Sequence, residues 1–142
     1  MLADTLRKVI SDSYVLYFKA HSFHWNVEGP DFAQYHSFLG DFYEEVFDSI
    51  DTYAELIRTL NDYAPTSLNR LIAKAELSES ETIPDAVTML RVIKSDNDKF
   101  LATLVKAYDE AEKASEFGVS NYLQDRIQAH EKHAWMLRSI TK

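Results

Sequence analysis

Residues 21–36 read HSFHWNVEGPDFAQYH and carry three of the chain's five histidines, at positions 21, 24 and 36. Upstream, apolar residues recur at helical spacing. Leu6, Val9, Ile10, Leu16, Tyr17 and Ala20 form one stripe, and His24 falls on it. Glu28-Gly29-Pro30 is a turn signal that interrupts the helix. A second periodic run follows, with Asp31 in position to cap it. The stretch therefore reads as the elbow of a helical hairpin, residues 3–27 and 32–62, with a histidine on either side of the bend.

The second helix carries Leu39, Tyr43, Val46, Phe47, Ile50, Ala54, Ile57 and Leu60 as its stripe, and Ala64-Pro65 ends it. The polar connection that follows runs to roughly twenty residues, too long for a bare loop in a compact domain. Within it, residues 67–75 (SLNRLIAKA) read as a short helix. A third long helix is expected from near Pro84, capped by Thr82, to about Lys113. Its stripe is Val87, Leu90, Ile93, Phe100, Leu101, Leu104 and Tyr108. A break is expected at Glu116-Phe117-Gly118, then a fourth helix over 119–140 with Leu123, Ile127, Ala134 and Leu137 facing inward. Two hairpins joined by one long crossover predict an all-α, up-down-down-up four-helix bundle.

Composition agrees with that architecture. The 142 residues are expected to form a single domain, 1–142, with enough chain to bury a core. Only three glycines and three prolines punctuate it, and the absence of cysteine excludes disulfides, thiolate metal sites and a cysteine nucleophile. No apolar window is long enough for a membrane span. The opening MLADTLRKVISDSY lacks the apolar run of a leader, so a cytoplasmic location is expected. The net charge of −8, 23 acids against 15 bases, repels polyanions and favours cations.

His24 and His36 flank the turn and can sit at one end of the hairpin. Asp51 and Glu55 form an i, i+4 acidic pair further along the second helix. Imidazoles with carboxylates suit iron(II). Fifteen residues separate His36 from Asp51, roughly 22 Å along a helix axis. One metal, with ligand bonds near 2 Å, cannot bridge that span. Either the pairs are unrelated, or an antiparallel dimer brings the histidine end of one chain against the acidic end of another, making two equivalent sites. The plainer alternatives are a hydrogen-bonded core role for His24 and a solvated face for Asp51 and Glu55. His21 lies off the stripe and is expected in solvent. His130, on the stripe of the last helix, is expected to be a core histidine, with His133 at its border. Trp25 is expected either in the core or beside a metal.

At these residues the chain resembles the Dps proteins, mini-ferritins of the ferritin-like superfamily, whose bundles share the single long crossover. FHWNVEGPDFAQYH followed by DTYAELI is similar to the family pattern of His-Trp, a second His twelve residues on, and Asp-x-x-x-Glu on the same helix; EKHAWML at 131–137 is similar to its last helix. The resemblance implies a hollow dodecamer with ferroxidase centres at two-fold dimer interfaces. His24 and His36 of one chain, with Asp51 and Glu55 of another, would bind iron(II), with a two-metal centre among the arrangements the resemblance allows. Hydrogen peroxide, or dioxygen, would be the oxidant. Ferric mineral would collect in the cavity, and Trp25 would lie beside the iron and quench radicals.

Three departures stand out. Gly40 occupies a position where the family often has Asp, and Asp41 points about 100° away from it. The ends MLADTLRK and SITK offer almost no basic tail, which with the negative charge counts against DNA binding. Asn121 stands where many members carry a pore Asp, leaving Glu116 and Asp125 as candidates for guiding iron. The Glu-x-x-His pairs of a bundle-core ferritin site are absent. The rival readings are a DNA-compacting shell with an impaired iron centre and a helical adaptor with core histidines.

Overall fold

The computed structural model describes residues 1–142. It is all-helical: α1 (Leu2–Asn26), α2 (Phe32–Thr59), α3 (Leu68–Ala73), α4 (Ala86–Lys113) and α5 (Phe117–Ile140). The expected stripes supply the core, with Leu6, Leu16, Leu39, Ile57, Leu90 and Leu123 among its fully buried side chains. A surface hollow lined by Met1, Leu2, Leu60, Asp62, Glu110 and Glu116 shows that α1 and α5 begin where α2 and α4 end. Lys19 of α1 meets Asp96 of α4 near the far end of the bundle. The helices thus run up, down, down, up, and the crossover has to climb the bundle's length, about 40 Å for a helix the size of α2.

Four local details differ from expectation. Asp31 precedes α2 but makes no side-chain cap bond. The cap of α4 is Asp85 rather than Thr82: its Oδ1 accepts from Thr88 N at 2.9 Å, with Asp85 in extended backbone at the end of the helix. α2 ends at Thr59, short of 62, because Asn61 turns left-handed (φ 62°) and Asp62 N bonds back to Ile57 O. The same motif sets the last break. Ser115 adopts φ 57°, Glu116 N bonds Ala111 O at 2.9 Å, and α5 then starts at Phe117, so Gly118 lies inside the helix. In the elbow between α1 and α2 glycine is needed, since Gly29 has φ 121°.

The crossover is tied to α1 by one buried carboxylate. Asp12, 1% exposed, accepts from the backbone N–H groups of Glu76 (2.8 Å) and Leu77 (3.1 Å) through Oδ1. Leu71 and Leu77 are buried beside it. Asp12→Ala orphans both donors and should cost about 1–3 kcal/mol, measured by chemical denaturation. Asp12→Asn keeps the acceptor oxygen and should cost less.

Candidate metal centre

The elbow brings His24 and His36 together. Their rings stack with centroids 3.7 Å apart and planes 16° from parallel. Each holds the other's backbone: His24 Nδ1 donates to His36 O at 2.6 Å, and His36 Nδ1 donates to His24 O at 2.7 Å. A carbonyl can only accept, so the proton of each ring sits on Nδ1. That leaves the Nε2 lone pair of each ring without a partner in the chain. This is how a protein sets imidazole tautomer and orientation for metal binding. A core histidine would spend both nitrogens internally. Gly40 makes room for the arrangement: a Cβ there would lie 3.1 Å from His24 Cε1 and 3.3 Å from Nδ1.

His21 is not a solvated residue. It is half-buried in an aromatic stack, 3.8 Å from the Tyr43 ring at 10° and 4.1 Å from Trp25. Its Nδ1 lies 2.9 Å from Tyr17 Oη. Burial, then the neighbouring His24, pushes its pKa below the usual imidazole value. Trp25 is outside the core, at 57% exposure, and packs on His21 and edge-on to Phe18.

Asp51 and Glu55 are exposed on α2, roughly 22 Å and 28 Å from His36 along the axis, and belong to none of the chain's ion pairs. Within one chain no three His, Asp or Glu side chains assemble in an arrangement able to hold a metal. The two halves nevertheless share a surface. Below His36 on α2 come Gly40, Tyr43 and Phe47 at helical spacing, then Asp51 and Glu55 at four-residue steps. Phe47 was expected on the inward stripe, yet it is 47% exposed. With Phe18 (51%) it leaves an exposed apolar patch between the histidine end and the acidic end, and Trp25 and Phe32 are exposed at the elbow itself.

The bundle interior is charged but closed to cations. Arg126 of α5 makes two bonds to the Glu45 carboxylate of α2, one of them Nη2 to Oε1 at 2.9 Å. Its Nε donates to Tyr53 Oη at 3.3 Å. Its Nη2 also donates to His130 Nε2 at 2.9 Å, which places the His130 proton on Nδ1, donated to Asn97 Oδ1 at 2.7 Å. His133 Nε2 donates to Glu45 Oε1 at 2.8 Å. Burial raises the Glu45 pKa, but the Arg126 and His133 hydrogen bonds outweigh it and hold the carboxyl well below its usual range. Nearer the elbow, Lys19 pairs with Asp96 at 2.6 Å, both nearly buried. Guanidinium and ammonium groups already supply the positive charge here. Sequence reasoning placed His130 and His133 correctly but missed Glu45 and Arg126. The available signal was Arg126 itself, a charge between Leu123 and His130 on an inward stripe, which demands a buried partner.

This network gives the protein a pH dependence. Burial first, then the charge of Arg126, pushes His130 well below the ordinary imidazole value. The unfolded chain therefore binds a proton near pH 6.5 that the native chain refuses. Stability is fully present above that pH and falls as pH drops below it, by up to about 1.4 kcal/mol per unit. Urea midpoints at pH 7.5 and 5.5 should show the drop, and His130→Asn should flatten it.

A family model for the ferritin-like domain matches residues 3–142, and the chain belongs to that family. Its relatives include proteins named DNA protection during starvation protein, or Dps. The chain is 31% identical over 141 residues to the DNA protection during starvation protein of Brevibacillus brevis, covering 99% of this chain and 94% of the relative. The crystal structure of a Dps protein from Bacillus brevis superimposes with a TM-score of 0.95 at 29% identity, covering 99% and 95% of the two chains. A Dps structure from Vibrio cholerae O1, described as a member of a broad superfamily of ferritin-like diiron-carboxylate proteins, gives 0.95 at 25% identity over 99% and 89%.

Proposed function

We propose that the protein is a Dps-type ferroxidase that oxidises iron(II) at centres shared between two chains and stores the ferric product inside a hollow dodecamer. The observation that carries this reading is the His24–His36 pair, with both Nε2 atoms free and two unpaired carboxylates stranded on the same face. Membership of the Dps branch supports iron storage as the general role.

In this reading a two-fold axis passes near Tyr43 and Phe47, midway between the two halves of the site. The exposed aromatic side chains become the dry centre of the interface. His24 and His36 of one chain then face Asp51 and Glu55 of the other, twice per dimer. Two neutral imidazoles and two carboxylates offset the charge of one iron(II), with room for a second ion on the carboxylate side. Gly40 contributes no ligand, and Asp51 and Glu55 lie too far along α2 to reach the histidines of their own chain. Two iron(II) ions each give one electron to hydrogen peroxide, which takes up two protons and leaves as two waters. Dioxygen is the alternative oxidant. Trp25 stands beside the reacting ions. The charge of −8 per chain, repeated over a shell, draws cations inward and disfavours DNA. No helix is long and apolar enough to cross a membrane; a cytoplasmic location is part of this proposal.

Iron loading tests the proposal. Metal-free protein is mixed anaerobically with iron(II), treated with hydrogen peroxide and sized by chromatography with iron detection. Ferric iron co-eluting with a particle of shell size is expected. A shell that carries no iron, or a monomer, would contradict it.

A further inference from the structure

Four oxidisable or proton-accepting rings, centred on His21, cluster beside the histidine pair. Trp25 packs on His21 at 4.1 Å, His21 stacks on Tyr43 at 3.8 Å, and Tyr17 is hydrogen-bonded to His21 Nδ1 at 2.9 Å. His21 thus touches all three oxidisable rings. Tyr17 also lies 5.9 Å from Tyr43 and 4.9 Å from Phe47, ring to ring. The chain has no cysteine to act as a sacrificial reductant. Tyr17 and Tyr43 differ in one chemical respect. A phenol gives up an electron readily only when its proton has somewhere to go, and Tyr17 alone of the two has an imidazole nitrogen as hydrogen-bond partner.

We propose that Tyr17 and His21 form a proton-coupled electron donor that ends the migration of oxidising equivalents away from the His24–His36 end. The inference rests on the iron-oxidation reading only for the source of the oxidant, a hydroxyl radical left when hydrogen peroxide takes one electron from a single iron(II) instead of one from each of two, with iron(III) and hydroxide as the other products. The imidazole proton of His21 is on Nε2, so Nδ1 accepts from the Tyr17 hydroxyl. The radical takes one electron from the Trp25 indole and becomes hydroxide, which solvent protonates to water. Tyr17 returns an electron to the indole across the His21 ring. The Tyr17 O–H bond breaks, its proton moves along the hydrogen bond to Nδ1, and a neutral tyrosyl radical and an imidazolium remain. The electron passes between packed rings, so the step needs no solvent access and works equally with this face covered by a second chain.

The test uses metal-free protein, which separates it from the iron reading. A photogenerated tris(bipyridine)ruthenium(III) oxidant replaces the hydroxyl radical, and tyrosyl and indole radicals are followed by transient absorption and electron paramagnetic resonance. In the unaltered protein a neutral tyrosyl radical should replace the indole radical. Tyr17→Phe should lose most of the tyrosyl signal and prolong the indole radical. His21→Gln, which can still hydrogen-bond but cannot take the proton, should lower the tyrosyl yield with Tyr17 intact. A normal tyrosyl yield in Tyr17→Phe, or its loss in Tyr43→Phe instead, would overturn the assignment, whatever the iron-loading result. Matching thermal midpoints would show that the variants fold.

Discussion

His36→Ala slows iron(II) oxidation by at least about tenfold while the four-helix fold survives. A metal site loses ten- to a hundredfold when only a supporting group is removed, and His36 supplies two things at once. Its Nε2 is a ligand in the proposed centre, and its backbone carbonyl and stacked ring fix His24. Removing the ring deletes the bond from Nδ1 to the His24 carbonyl and the stack on His24, but leaves the backbone acceptor of His24 in place. The cost to folding is about one hydrogen bond, on the order of 1 kcal/mol. Stopped-flow oxidation kinetics beside a thermal melt separates the two effects. A wild-type rate in a folded variant would remove His36 from the site.

Arg126→Ala has the largest expected effect on stability, about 3 kcal/mol. Arg126 is 6% exposed and donates to Glu45, Tyr53 and His130, groups from α2 and α5. Breaking a buried ion pair from one side costs about 3–5 kcal/mol. The value belongs at the lower end because the Glu45 side chain is 38% exposed and water can reach it. Tyr53 and His130, both fully buried, have no such relief. Guanidinium unfolding measures the loss. A change below about 1 kcal/mol would mean that the network contributes order rather than stability.

The hairpin elbow and the histidine pair were legible because their determinants are local. Gly29 and Pro30 forbid helix continuation, and two histidines twelve residues apart across a tight bend have little choice but to meet. The apolar stripes were legible for the same reason, through a period of 3.6 residues. Interactions between distant residues left no local mark. Glu45 and Arg126 are 81 positions apart, and nothing around Glu45 distinguishes it from Glu44 or Asp48 in the acidic run of α2. Phe47 matched the inward period and is exposed, because α2 has a second apolar edge that the chain does not cover by itself. His21 escaped for a related reason: Tyr17 lies one turn away on α1, but Tyr43, whose ring stacks on it, arrives only when α1 and α2 pack. The end of α2 and the start of α5 were misplaced where Asn61 and Ser115, rather than glycine, took the left-handed position.

The central claim is that the iron site belongs to two chains, and subunit complementation tests it most directly. Two variants are made, His24→Ala/His36→Ala and Asp51→Asn/Glu55→Gln. Each alone should be unable to oxidise iron at the site. Co-assembled, every mixed dimer contains one centre with native histidines from one chain and native carboxylates from the other. Random mixing at equal amounts then restores about a quarter of the sites, read as iron(II) oxidation rate per chain. Recovery to about that level is the result expected of a shared centre. A mixture no faster than its two parents would show that the four residues never act across an interface.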